Sequence, residues 1–245
     1  MRKSGRERGV TLVEVLLVVA IIGVATGLVL LGSGFADSAR LRRSSVMIAS
    51  AVRVAFGRAN ATSKVERLVF NFDRRTVAIE ESSKQLHLAR NDRTGGAEAA
   101  TEAERKAITE AEAILQGPHA PRPSFHPIKT FGFSVEKGMT GKALDRNIRF
   151  LQIETGHQDD IVKTDQAYLY FWPGGQTERA AIQISINGST NENDVVTLLV
   201  SPLTGKVDIR KGKWTMPRPR DDSEGSERLD PEGSSSTPLF SHGGK

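Results

Sequence analysis

Apolar and polar positions along the chain follow three different rhythms. From Val15 to Leu31 every residue is apolar or glycine apart from Thr26, and no charge stands between Glu14 and Asp37. As a helix from Val10 to Phe35, about 26 residues at roughly 1.5 Å each would cross a hydrocarbon core of roughly 30 Å. Beyond it the spacing changes. Leu41, Ile48, Val52, Ala55, Phe56 and Ala59 recur at intervals of three, four or seven, while Arg40, Arg42, Arg43, Arg53 and Arg58 fall elsewhere on the wheel. That is an amphipathic helix over 36–64, whose arginines form a solvated face. At Gly32-Ser33-Gly34 two readings stay open: a fresh helix capped near Asp37-Ser38-Ala39, or one continuous helix bent at the glycines.

From Glu66 the period falls to two. Leu68, Phe70 and Phe72 share a face, Arg74-Arg75-Thr76 turns, and Val77 and Ile79 return, which predicts a hairpin. Further strands read at 130–135, 148–154, 167–172, 180–186 and 195–200. Ser201-Pro202-Leu203-Thr204-Gly205-Lys206 then turns into 207–209. The expected fold is α+β, a long hydrophobic-then-amphipathic amino-terminal helix packed on one antiparallel sheet domain over 65–213. Within that domain, 90–125 breaks the pattern. Its Ala- and Glu-rich stretch favours helix but has little to bury, and prolines follow, so a mobile surface insertion is expected, with a partner-binding helix as the sharper alternative. The tail, 214–245, is rich in charge, Pro, Gly and Ser and is expected to be disordered.

Composition changes this picture only slightly. An apolar content of 38% and a mean hydropathy of −0.32 describe an ordinary soluble protein only because they average over the apolar run. The net charge of +5 suggests an acidic partner, yet Arg2, Lys3, Arg6 and Arg8 against Glu7 supply a net three of it. Residues 1–9 thus form a basic leader, which keeps the amino end cytoplasmic and places the remainder on the far side of the membrane. The apolar core is too long for an ordinary secretory signal. Without cysteine there is no disulfide framework and no thiol chemistry.

Glu14 is the anomaly. A carboxylate at the membrane centre costs about 2.5–3.5 kcal/mol on insertion scales, and the run offers it no basic partner. Cutting the chain between Gly9 and Val10 would create one, because Val10 would then carry a free ammonium one helical turn away, in the same chain or a neighbouring one.

Arg8-Gly9-Val10-Thr11-Leu12-Val13-Glu14-Val15-Leu16-Leu17 resembles the class III signal of type IV pilins and type II secretion pseudopilins. Val10 stands where that family usually has Phe, and no proline interrupts the helix. Phe171-Trp172-Pro173-Gly174-Gly175-Gln176 and the stretch from Val196 to Val207 are similar to the carboxy-terminal half of GspH/FimT-type minor pseudopilins and minor pilins, and Leu68–Asp73 with Arg75-Thr76 to their first hairpin. The resemblance covers about 10–80 and 148–210. It implies cleavage after Gly9 by a prepilin peptidase, N-methylation of Val10, and a register role for Glu14. It further implies assembly with other pseudopilins on an inner-membrane platform into a periplasmic fibre of a type II secretion system, one that meets secreted exoproteins. The alternative is a FimT-like minor pilin for DNA uptake. Arg210, Lys211, Lys213, Arg218 and Arg220 would then contact phosphates and Trp214 would stack on a base, although acidic residues from Asp221 to Glu227 spoil a clean basic tip.

No catalytic constellation emerges. Gly138-Met139-Thr140-Gly141-Lys142-Ala143 is too short for a phosphate loop and lacks the hydroxyl that follows its lysine. His87, His119, His126, His157 and His242 lack metal-site spacing. Asp159-Asp160 reads as a solvated turn, and no Gly-x-Ser-x-Gly elbow occurs. The expectation is a non-enzyme without metal or cofactor.

Overall fold

A single helix, α1 (Leu12–Thr62), occupies 51 residues of the amino-terminal part. The structure is a computed structural model that describes residues 11–114, 122–128, 133 and 141–216, with the backbone but not the side chains of 25–35 and 113–114. Of the two readings at Gly32-Ser33-Gly34, the continuous helix is the one observed, so the expected boundary between 10–35 and 36–64 is not a break in the element. The helix ends where Ser63 adopts a left-handed conformation, φ 55°, which turns the chain into the first strand.

Among the described residues ten strands follow or flank a second helix: β1 (Val65–Asn71), β2 (Thr76–Ser82), α2 (Glu102–Ile114), β3 (His126–Pro127), β4 (Lys142–Ala143), β5 (Ile148–Thr155), β6 (Gln166–Trp172), β7 (Gln176–Thr177), β8 (Ala180–Ile186), β9 (Val195–Val200) and β10 (Val207–Lys211). The expected hairpins are present, with Leu68 opposite Ile79 and Phe70 opposite Val77 in the first, and Val207 opposite Val200 in the last. The single sheet expected from periodicity is instead two antiparallel sheets. One runs β3-β2-β1-β6-β7, with β4 also pairing β2, and the other β10-β9-β8-β5. Alternation reveals where strands lie but not which strands share hydrogen bonds, so the division had no signal. The strand expected at 130–135 falls outside the described residues except for Phe133, which is buried.

Both sheets and α1 share one core. Leu41, Ile48, Val52, Ala55 and Ala59 of α1 meet Leu68, Phe70, Val77, Ile79, Leu169 and Phe171 of the first sheet, together with Ile148, Phe150, Ile153, Ile182, Ile184 and Leu198 of the second. Phe150 bridges the sheets through ring contacts with Phe70 at 5.8 Å and Phe72 at 5.5 Å. Full burial of such side chains is worth about 1.5–3 kcal/mol each, enough to hold an amphipathic stretch that isolated propensity would leave marginal.

The outer face of the first sheet is covered as well. Val65, Val69, Ala78, Tyr168 and Tyr170 pack with Leu86, Ala97 and Phe125, residues that flank or belong to the insertion. Arg67 lies between the rings of Phe125 and Tyr168, 4.3 and 4.5 Å from their centroids, and pairs with Glu80 at 2.7 Å. Glu104 caps α2 by accepting from the backbone of Ala100 and Thr101 and also accepts from the Tyr168 hydroxyl at 2.8 Å. Much of 90–125 is therefore seated on the sheet, where a mobile loop was expected. Residues 115–121 lie outside the described residues.

Candidate functional site

The amino-terminal end of α1 carries the first candidate site. Thr11 has extended backbone angles, φ −79° and ψ 150°, and its hydroxyl accepts from the Glu14 N–H at 3.3 Å. Its carbonyl accepts from Glu14 at 3.0 Å and Val15 at 3.2 Å. Thr11 is thus the N-cap and Glu14 the third helical residue, the spacing of a capping box. That role escaped the reading of the sequence, although Thr-x-x-Glu before an apolar run is its standard signal. It supplies a second physical reason for Glu14, whose negative charge sits in the first turn, where the helix dipole is positive. Gly9 and Val10, the expected cut site and new amino terminus, lie outside the described residues.

From Leu12 to Val24 the large aliphatic side chains are all exposed, from 49% at Val18 to 76% at Leu12. Among the described residues no helix is long and apolar enough to cross a membrane. The described apolar side chains, Leu12 to Val24, span only about 20 Å at 1.5 Å per residue, and the run continues into 25–35, whose side chains are outside the described set. An exposed apolar surface of this extent requires lipid or other protein around it.

Where α1 enters the sheet domain it is tied to the turn before β5. Arg43 donates two hydrogen bonds to Asp145, at 3.1 and 2.9 Å, the Asp145 N–H donates to the Ser44 hydroxyl, and Asn147 reaches Asp37 at 3.4 Å. At the other end of the buried stretch, Arg58 binds Glu66 at 3.3 Å and Glu81 at 2.9 Å, and Lys64 binds Glu81 at 2.7 Å. Glu66 has the same strand parity as Leu68 and so faces the core. Burial, with the Glu81 charge adding to it against the pull of Arg58 and Lys64, pushes its carboxyl up to about 7.

Of the described residues proposed to meet nucleic acid, Arg210 and Trp214 come together while Lys211 turns away from them. Arg210 lies over the Trp214 ring at 4.8 Å while pairing with Asp208 at 2.8 Å. The Trp214 indole N–H donates to the Lys211 carbonyl. Lys211 and Lys213 are exposed, but alternation along β10 turns Lys211 to the opposite face from Arg210. Arg218 and Arg220 lie outside the described residues.

Among the described residues no group of three or more His, Asp or Glu is placed to hold a metal ion. His157 is fully buried, with Nδ1 at 2.8 Å from Glu178, and Glu178 also accepts from the Tyr170 N–H. The pair joins β6 to the 156–160 turn, a structural use no sequence spacing announced. Asp159 pairs with Arg90 on the surface at 3.4 Å.

Residues 4–30 match the family model for the prokaryotic N-terminal methylation motif. The match indicates a type IV pilin-like amino terminus, a substrate for prepilin peptidase and a membrane-anchored precursor. Neither the curated proteins nor the solved structures yield a match to the chain.

Proposed function

We propose that this chain is a minor pseudopilin of a type II secretion system, of the GspH/FimT type, and not an enzyme. A prepilin peptidase cuts after Gly9 and methylates Val10. The apolar half of α1 is first an inner-membrane anchor, then part of a fibre core, with the sheet domain in the periplasm. Other pseudopilins surround it, an inner-membrane platform assembles it, and the exposed domain meets secreted exoproteins.

The observation that carries this reading is one capped helix with two solvents. Its first half bares aliphatic side chains from Leu12 onward, and its second half buries Leu41 to Ala59 under two sheets. Such a helix suits a subunit that leaves lipid and enters a helical bundle without refolding its domain. Glu14 serves the helix end through the dipole and, after cleavage, faces the Val10 ammonium of its own or a neighbouring chain. A DNA-uptake minor pilin is the weaker reading, since Arg210 is already engaged by Asp208 and Trp214.

Amino-terminal mass spectrometry of the chain isolated from cells with an active prepilin peptidase tests the proposal. The expected product begins at N-methylated Val10. A chain that keeps residues 1–9, or begins elsewhere, would overturn it.

A further inference from the structure

At the corner where α1 ends, the turn into β1, the chain leaving β2 and the β6–β7 turn enclose a cleft of about 470 Å³, whose lining includes Ser63, Lys64, Lys84, His87, Trp172 and Gln176. Its walls are fastened. The Trp172 indole N–H donates to the Leu86 carbonyl at 3.2 Å, which ties the β6–β7 side to the 83–87 side. The Gly174 N–H donates to the Asn60 side chain of α1 at 3.1 Å, and the Lys84 N–H donates to the Ser82 hydroxyl at 3.2 Å.

Charge separates this cleft from two others on the domain. The cleft beside α2 sets Arg90, Arg93 and Arg122 among Asp92, Glu104 and Glu112, and the one at 158–164 sets Arg93 and Lys163 among Asp159 and Asp160. The corner cleft has no carboxylate among its described lining residues. Lys64 pairs with Glu81 at 2.7 Å, whereas Lys84 is exposed and its ammonium has no ion pair among the described residues. His87 is exposed beside it. Two lysines around a half-buried indole attract carboxylates and offer an amphipathic ring to the chain that carries them.

We infer that the Lys64–Lys84–Trp172 cleft is a docking site for acidic polypeptide, and that its resident occupant is the chain's own segment 221–232. Charge and reach both favour that segment. From Asp221 to Glu232 the chain holds six carboxylates against Arg228 alone. Met216, the last described residue, donates its N–H to Glu154. Glu154 lies opposite Ala181, five residues beyond Gln176 of the cleft, so Met216 stands within about 30 Å of it, and the eleven residues from there to Glu227 span up to about 37 Å. A tethered segment is present at an effective concentration on the order of millimolar, so a weak electrostatic contact fills the cleft. An acidic partner then reaches Lys84 only by displacing the tail.

Carbodiimide coupling of the purified full-length chain in detergent joins touching lysines and carboxylates without a spacer, and digestion of the monomer followed by mass spectrometry shows which pairs met. Lys163 is the internal control. It is exposed like Lys84 and follows Val162, which bridges Ile153 next to Glu154, so a tail that only sampled its surroundings would couple there first. We expect coupling of 221–232 to Lys84 or Lys64 to exceed coupling to Lys163 by about fivefold at low salt, and the excess to vanish in about 0.5 M salt, where the Debye length is about 4 Å. A synthetic peptide of residues 221–232 is expected to couple to the same lysines about tenfold more in a chain truncated after Arg220 than in the intact chain, whose tail competes. Preferred coupling to Lys163, coupling of Lys84 to Glu81 alone, or tail links found only between two chains would overturn the proposal. Each of these results is independent of the cleavage after Gly9.

Discussion

Glu66 stands at a core-facing position where a Leu or Phe would continue the pattern of β1, with one carboxylate oxygen on Arg58 and the other unpaired. Its carboxyl is raised from 4.5 to about 7 by burial. The sign follows from proton linkage. Between those two values the folded state holds more protons than the unfolded chain, so Glu66 favours folding most below about 4.5, and this contribution is lost as the pH rises through about 7. Glu66→Gln removes the charge while keeping the shape. Its melting temperature is expected to match the parent near pH 4.5 and to exceed it at pH 8, by the equivalent of about 1–3 kcal/mol. A gap independent of pH would show that the carboxylate is satisfied where it stands.

At the scale of elements, β6 explains why 90–125 is seated. Ala167-Tyr168-Leu169-Tyr170-Phe171-Trp172 is apolar on both faces, and a strand of that kind must be covered on both. α1 takes the Ala167, Leu169 and Phe171 face, and the insertion takes Tyr168 and Tyr170. Phe125 is the keystone of that cover, touching Arg67 and lying 5.7 Å from Tyr170. Phe125→Ala is expected to cost about 1–3 kcal/mol within this cover, below the range of a fully buried ring because Phe125 is half-buried. Hydrogen exchange should then accelerate at 86–97 and 122–128 and leave β8 and β9 unchanged. Uniform acceleration, or none, would contradict a separately seated insertion.

Much of this architecture was readable beforehand because burial on one side leaves a period. The heptad-like spacing from Leu41 to Ala59 and the alternation in β1, β2, β8 and β9 marked their elements closely. The cover over Tyr168 and Tyr170 was not read, since a continuous apolar run announces two-sided burial without saying what lies on the second side. Glu104 and Phe125, together with Thr94, whose carbonyl accepts from the Tyr170 hydroxyl, provide it and look like ordinary surface residues in sequence. At the amino terminus the Gly9/Glu14 pattern was legible, whereas the cap at Thr11 emerged from backbone angles.

For the whole molecule, the seating of α1 on both sheets depends on close approach at one turn. Gly205, in the β9–β10 hairpin, has φ +61°, and a Cβ there would stand 2.6 Å from the Phe56 ring of α1. Gly212 has a similar backbone, φ +89°, with open space. Alanine at either position incurs the left-handed backbone cost of about 1 kcal/mol, but only Gly205→Ala must also push the helix or its ring away, which adds about 1–3 kcal/mol. Thermal denaturation of the two variants isolates that difference, and equal losses would mean that the helix is not pressed against the hairpin.

α1 is also a mechanical part. Its 51 residues make a rod of roughly 77 Å with no break between its bare end and its buried end. A force applied along the rod at Leu12 reaches the domain as shear on Leu41, Ile48, Val52, Ala55 and Ala59 together, with the Arg43–Asp145 tie loaded at the point of entry. Contacts loaded in parallel yield at far higher tension than contacts opened one after another, so the domain can be hauled by its helix without being unzipped.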